Sequence, residues 1–198
     1  MFIMKQLLAS SALASMVLFS NVALAQNADE KPNYDFIGAG YAHESSYNDG
    51  YLLEFEKSLT DRFFISADYR SLENDGEGNV DLNNKLLFAD VGYKVLQYNM
   101  LDVYAKAGVA NYKSELTMPQ NSFDNDDTGW HAAIGARARI TSWFEVDFNI
   151  GMADVFDNTQ DTMRITTRFY ATDRLSVALQ ADSFDAFDTL GLSVRYSF

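Results

Sequence analysis

The 198-residue chain contains no cysteine, which excludes a disulfide framework and a thiolate metal site. Histidine is nearly absent, at two residues, as is proline, also at two. Bases are scarce: 15 Lys and Arg face 28 Asp and Glu, for a formal charge of −13. That balance excludes a basic nucleic-acid binder. Beyond the N-terminus no apolar run approaches the roughly 20 residues of a membrane helix. No helical periodicity follows residue 30, and no phosphate-binding loop, zinc signature or nucleophile elbow occurs. What is present is apolar and aromatic. Hydrophobic residues make up 47%, with 15 Phe, 11 Tyr and 2 Trp, too many for a disordered chain.

Residues 1–25 read as a secretory signal. Lys5 supplies the positive region, Leu7 to Phe19 the apolar stretch, and Ala23-Leu24-Ala25 a small-x-small cleavage site before Gln26. The expected mature chain has 173 residues and a charge of −14, and lies outside the cytoplasm. It divides into a short segment, 26–33, and one domain over 34–198.

That domain repeats one pattern: about ten residues of alternating character and then a turn. Tyr51, Leu53, Phe55, Lys57 and Leu59 share one face, and Leu52, Glu54, Glu56 and Ser58 the other. Phe63, Ile65, Ala67 and Tyr69 likewise alternate with Phe64, Ser66, Asp68 and Arg70. Period-2 alternation of this length predicts strands with one apolar face. Ten are expected, over 34–44, 50–59, 63–71, 85–95, 101–113, 128–140, 143–154, 162–171, 174–183 and 189–198. The connections at 60–62, 96–100, 141–143 and 172–173 are short. Those at 72–84 and 114–127 are long and polar, with four acids each and no Lys or Arg; 45–49, 155–161 and 184–188 lie on their side. Short turns on one rim and longer loops on the other predict an all-β transmembrane barrel with both termini on the short-turn, periplasmic rim.

A soluble lipocalin-type barrel would alternate equally, but with an apolar interior and a wet exterior. Two features separate the readings. The apolar face carries Phe63, Tyr93, Trp143, Phe144, Phe169 and Tyr196 near one rim and Tyr41, Tyr51, Tyr69 and Trp130 near the other, as two interfacial girdles require. The chain also closes on an alternating strand, Leu190, Leu192, Val194, Tyr196 and Phe198.

That ending, with openings such as Phe36-Ile37-Gly38-Ala39-Gly40-Tyr41 and Leu101 to Gly108, resembles the small Gram-negative outer-membrane β-barrel proteins of the OmpA/OmpX-like porin-family group. The resemblance spans the mature chain, and its most specific element is Leu190 to Phe198, similar to the terminal signal read by the barrel assembly machinery. It implies the outer membrane as location, with outer-membrane lipids and lipopolysaccharide as surroundings. Familiar members have eight strands, the alternative to the ten counted.

On this assignment the inward faces carry Glu54, Glu56, Asp68, Asp90, Asp102, Glu145, Asp147 and Asp182 against Arg70, Lys94, Lys106, Arg137, Arg139, Arg164, Arg168 and Arg195. Eight acids meet eight bases, so the lumen is expected to be neutral and crosslinked, and 20 acids against 6 bases remain for loops, rims and tail. A charge-selective lining would need an excess of one sign. Pairing Val95 with Leu101 would set Lys94 opposite Asp102 and Asp90 opposite Lys106; pairing Ile140 with Phe144 would set Arg139 opposite Glu145 and Arg137 opposite Asp147.

Catalytic candidates are few. His43 is placed on the lipid side near a rim and His131 inside, with Ser122, Asp124, Asp126 and Asp127 upstream as conceivable partners. Some outer-membrane proteases and lipid hydrolases use rim histidines in this way, but nothing in this spacing demands it. Asp124-Asn125-Asp126-Asp127 begins like a calcium loop, yet Gly135 stands where a bidentate Glu is required. Loose divalent bridging to lipopolysaccharide phosphates is the weaker ionic reading. The expectation is therefore a monomeric barrel with no catalytic, cofactor-binding or metal site, no cofactor and no nucleic-acid partner. Its role is structural or interactive through acidic surface loops; a narrow diffusion pore is the alternative and a surface hydrolase the third reading. Deleting Phe198 should lower the amount of assembled barrel and leave protease-sensitive chain in the periplasm; immunoblots of membrane and periplasmic fractions check this, and normal assembly of the truncation would remove the role given to the last strand.

Overall fold

The computed structural model of the chain describes residues 31–44, 49–76, 80–118, 121–155, 158–184 and 187–198. The expected signal at 1–25 lies outside them. Among the described residues the chain is all strand and turn: β1 (Phe36–Glu44), β2 (Asp49–Ser58), β3 (Phe63–Gly76), β4 (Val80–Tyr98), β5 (Leu101–Met118), β6 (Asn121–Thr141), β7 (Phe144–Val155), β8 (Asn158–Tyr170), β9 (Leu175–Phe184) and β10 (Phe187–Ser197). Each pairs antiparallel with its chain neighbours, and β1 pairs with β10 from Phe36↔Ser197 to Glu44↔Thr189, closing the barrel. The ten-strand count holds.

Closure turns the alternation into two surfaces. Ile37, Leu53, Val91, Val109, Ile134, Ile150, Val177, Leu179, Leu192 and Val194 stand exposed on the outside. Glu54, Asp68, Arg70, Asp90, Arg137, Asp147, Asp182 and Arg195 are buried inside. This is the inverse of a soluble lipocalin-type barrel, and a surface so apolar requires a hydrocarbon surround. The rings gather at the ends of the apolar band. Phe63 and Tyr93 lie 5.0 Å apart, Trp143, Phe144 and Phe169 form a cluster, and Tyr51 packs on Tyr69 at 6.0 Å.

The short-turn rim is built from local sequence. Thr60-Asp61-Arg62 and Thr172-Asp173-Arg174 fold the same way. Thr60 Oγ1 accepts from the Arg62 and Phe63 amides, and Thr172 Oγ1 accepts from those of Arg174 and Leu175. A threonine hydroxyl thus replaces the missing backbone partner in both turns. Between β4 and β5 only Asn99 and Met100 remain unpaired, with Asn99 at φ 31°, a left-handed conformation that Asn tolerates.

Two expectations are overturned. Segments 72–84 and 114–127 are not loops, since β3 runs to Gly76, β4 starts at Val80, β5 runs to Met118 and β6 starts at Asn121. Backbone pairing continues past the apolar band because cross-strand partners do. Leu82 faces Leu116 and Leu116 faces Phe123 on one side of the sheet, while Lys85 and Lys113 both reach Glu115 on the other. These residues are mixed in polarity, so the alternation is hidden from hydropathy. The second correction is the β4–β5 register. Tyr98 pairs with Leu101, and a bulge at Val95 sets Lys94 opposite Tyr104 and Asp90 opposite Gly108. Lys94 therefore does not face Asp102, nor Asp90 Lys106. At the next turn the expected pairs are present, Arg139↔Glu145 and Arg137↔Asp147, with Thr141↔Phe144 at the tip and a bulge at Ile140.

Candidate functional site: the lumen and its two mouths

Strand parity aims the charged side chains into one interior, where they pair in layers. In the short-turn layer Arg137 bridges Asp147 (Nε–Oδ2 2.8 Å) and Glu56 (NH1–Oε2 2.5 Å). Arg168 meets Glu145 at 3.1 Å, with Arg139 4.0 Å from the same carboxylate. Above them Arg195 pairs with Glu54, which also accepts from Ser193 at 2.8 Å. Arg164 forks onto Asp68 at 3.0 Å through both terminal nitrogens while its Nε donates to Asp182. Arg70 lies 3.1 Å from Asp68 and 2.9 Å from Asp182. Asp90 joins Lys106 at 3.0 Å and His131 Nδ1 at 2.8 Å. The Asp90–Lys106 contact survives the corrected register because Lys106 reaches it diagonally. Arg137, Arg164 and Arg70 are each shared between two carboxylates, an arrangement for which the planar guanidinium fork is suited.

Both ends of the lumen are filled by residues that the charge count did not feature. At the short-turn end the chain preceding β1 enters the mouth. Tyr34 is 1% exposed, packs on Phe64 (4.7 Å) and Tyr104 (6.4 Å), and has Lys94 Nζ 4.0 Å and the Arg137 guanidinium 4.2 Å from its ring. The Asn33 carbonyl accepts from Arg137 at 2.8 Å, and its amide donates to Glu145 at 3.0 Å. Asp35 accepts from the Ser58 amide and pairs with Lys57, both at 3.0 Å. At the other end Phe88, Tyr112, Val155 and Phe184 cluster with Leu86, and Leu52 with Leu72. Their inward parity was readable, but their convergence into an apolar cap needs the closed register. Glu44 is a further buried acid that the count left out.

A cavity of about 40 Å³ lies among Glu54, Asp68, Lys106, Arg137 and Arg164. Two of about 20 Å³ flank Arg70, one towards His131 and one towards Tyr112. These volumes suit a few isolated waters, a solute not at all.

The nucleophile–base candidates are not brought together. His131 is buried against Phe88 at 4.5 Å and bonded to Asp90, whereas Ser122 stands opposite Thr117 on the projecting part of β6. Nine residues of strand separate them, about 30 Å. His43 is exposed, with Nδ1 2.5 Å from Asp49. No group of three or more His, Cys, Asp or Glu side chains with metal-binding geometry occurs among the described residues.

Residues 11–198 match the model of one protein family, described as the outer membrane protein beta-barrel domain. No curated protein matches the chain. Among solved structures, the attachment invasion locus protein Ail of Yersinia pestis is 13% identical, covering 84% of this chain and all of its own length, at a TM-score of 0.46. The N-terminal barrel of Pseudomonas aeruginosa OprF is 12% identical, covering 84% and 99%, at 0.47. Neisserial surface protein A is 12% identical, covering 85% and 100%, at 0.43.

The buried Arg137 node yields a quantitative expectation. Removing the cation by Arg137→Met should cost about 3–5 kcal/mol, because Asp147 and Glu56 are left uncompensated. Adding Asp147→Asn should recover part of that loss, with a coupling of about 1–3 kcal/mol. Urea unfolding of the refolded barrel, followed by heat-modifiable gel mobility, measures the cycle; additive effects would dissolve the node.

Proposed function

Because this chain belongs to the outer membrane protein beta-barrel domain family, it is an integral outer-membrane barrel, and we propose that it acts there as a closed scaffold rather than a conduit or an enzyme. The observation that carries this reading is the Arg137–Asp147–Glu56 node with its continuation through Arg164, Asp68, Arg70 and Asp182. The eight bases counted for the interior each have a carboxylate or an aromatic ring against them, so an ion entering would displace a partnered charge at substantial cost. A ten-stranded interior is only modestly wider than the filled eight-stranded one. Function then lies outside the lumen, in the projecting hairpins, where the acids concentrate. In this reading the short-turn rim and both termini face the periplasm, and β3 to β6 project from the cell surface. Outer-membrane lipids and lipopolysaccharide surround the apolar band, the assembly machinery reads the last strand, and the barrel is monomeric.

Two measurements test it. Purified barrel in planar bilayers should give no steady conductance steps; large, stable, ion-selective currents would replace the scaffold with a pore. The chain has no cysteine, so single cysteines report topology cleanly. Asp124→Cys should react with a membrane-impermeant maleimide on intact cells and Asp173→Cys only after lysis. The reverse pattern would invert the orientation.

A further inference from the structure

The apolar belt is not uniform around the barrel. On β9 and β10 it presents Leu175, Val177, Leu179, Leu190, Leu192 and Val194, a wall of large side chains. On β5 and β6 it holds Ala105, Ala107 and Ala132, with Val91, Trp130 and Ile134 standing around them. Parity sets the alanines outside, since Lys106, between the first two, turns into the lumen to meet Asp90. The difference in bulk leaves an open groove of about 990 Å³ in the lipid-facing wall.

The groove follows one row of the sheet, Phe63–Tyr93–Ala105–Ile134–Ile150–Met163. Five strand spacings make that row about 24 Å long. Phe63 opens β3 at the short-turn rim, whereas Met163 lies well inside β8, which reaches that rim at Tyr170. With strands tilted about 35–45°, the row climbs about 15 Å between these residues. That is half of the roughly 30 Å hydrocarbon core, the depth of one leaflet.

Its two ends differ in charge. At the rim the turn 60–62 is fixed beside the groove: the Lys94 amide donates to the Arg62 carbonyl at 2.8 Å, and Arg62 NH1 donates to the Tyr93 hydroxyl at 2.9 Å. Tyr93 in turn packs on Phe63 at 5.0 Å. A guanidinium has five donors in a planar fork that suits phosphate, and Tyr93 takes one. The turn also carries Asp61, so recognition rests on the fork rather than on net charge. At the far end Asp161 joins the lining, opposite Met152. An anionic group is favoured at the first end and opposed at the second.

We infer that this groove binds one glycerophospholipid, with its phosphate at Arg62 and Tyr93 and one acyl chain laid along the alanines. A chain seated there touches protein on its flanks as well as beneath, so it packs better than lipid on the rest of the belt. With the short-turn rim facing the periplasm, the lipid belongs to the inner leaflet of the outer membrane. That leaflet rests on the orientation proposed above, whereas the site itself does not.

The probe is palmitoyl-oleoyl phosphatidylglycerol, titrated into barrel refolded in detergent micelles and followed by native mass spectrometry. Retention should saturate at one lipid per barrel. Diacylglycerol with the same chains, which lacks the phosphate, should bind about tenfold more weakly. Arg62→Gln should abolish that preference. The double variant Ala107→Leu, Ala132→Leu, which fills the groove, should weaken phosphatidylglycerol binding about tenfold. Ala181→Leu adds the same bulk to the outward face of β9 and should leave binding unchanged. Heat-modifiable gel mobility checks that each variant is folded. Uptake without saturation at one lipid, equal binding of the two lipids by the unaltered barrel, or binding indifferent to the filled groove would each overturn the site. Equal losses in Ala181→Leu and the double variant would overturn it too, reducing it to general solvation of the belt. A reversed cysteine-labelling pattern with saturation at one lipid would leave the site standing and change only its leaflet.

Discussion

Backbone in hydrocarbon has no solvent to bond with, and the rest of this molecule depends on that constraint. Every N–H and C=O within the apolar band must find a partner in a neighbouring strand. The sheet therefore closes on itself, with Phe36 to Glu44 laid along Thr189 to Ser197. Once closed, a period of two admits only an inside and an outside. The outside meets lipid and carries Leu, Val, Ile and rings; the inside is too narrow to hold bulk water around 16 charges. Those charges must neutralise each other, and they do so through shared guanidiniums such as Arg137 and Arg164. The network of paired charges inside the barrel is thus a consequence of closure at this strand number.

Much of this is legible in the sequence, and for a specific reason. Lipid and lumen impose opposite demands on adjacent residues, so Leu53 against Glu54, or Val146 against Asp147, declares which side each occupies. The Arg137–Asp147 pairing is readable too. The two-residue turn at Ser142-Trp143 and the bulge at Ile140 together leave the register of a three-residue turn. At Asn99-Met100 the same device misleads, because a five-residue turn looks equally plausible and the bulge at Val95 carries no compositional mark. The projecting strands are the larger miss. Above the membrane neither face meets hydrocarbon, so Glu73 to Gly76 and Asn121 to Thr128 lose the hydropathy contrast while keeping the backbone pairing.

The candidate site is legible only in part. Parity alone puts His131 inside and His43 outside, and spacing alone puts the eight acids and eight bases in the interior. Partner choice is not legible in this way, since Arg164 reaches Asp68 across the barrel, 96 residues away in the chain. Tyr34 is the clearest omission. Its position just ahead of the first strand reads as an ordinary strand start, and only the aromatic and cationic walls of Phe64, Tyr104, Lys94 and Arg137 explain why it turns inward.

The segment that carries Tyr34 also fixes an order of events. Asn33 donates to Ser197 Oγ, and the Phe198 amide donates to the Asp35 carbonyl. The segment just before β1 and the end of β10 thus meet at one seam, which closes a loop of more than 160 residues, the slowest kind of contact to find. Local hairpins such as those at Asn99 and Ser142 can zip at once, whereas the seam waits for the complete chain. Its locking interactions therefore form last and add little to the barrier for folding. Being absent from the transition state, they act mainly on the rate of opening. A barrel sealed in this way would owe its persistence in the membrane to the slowness with which that final seam comes undone.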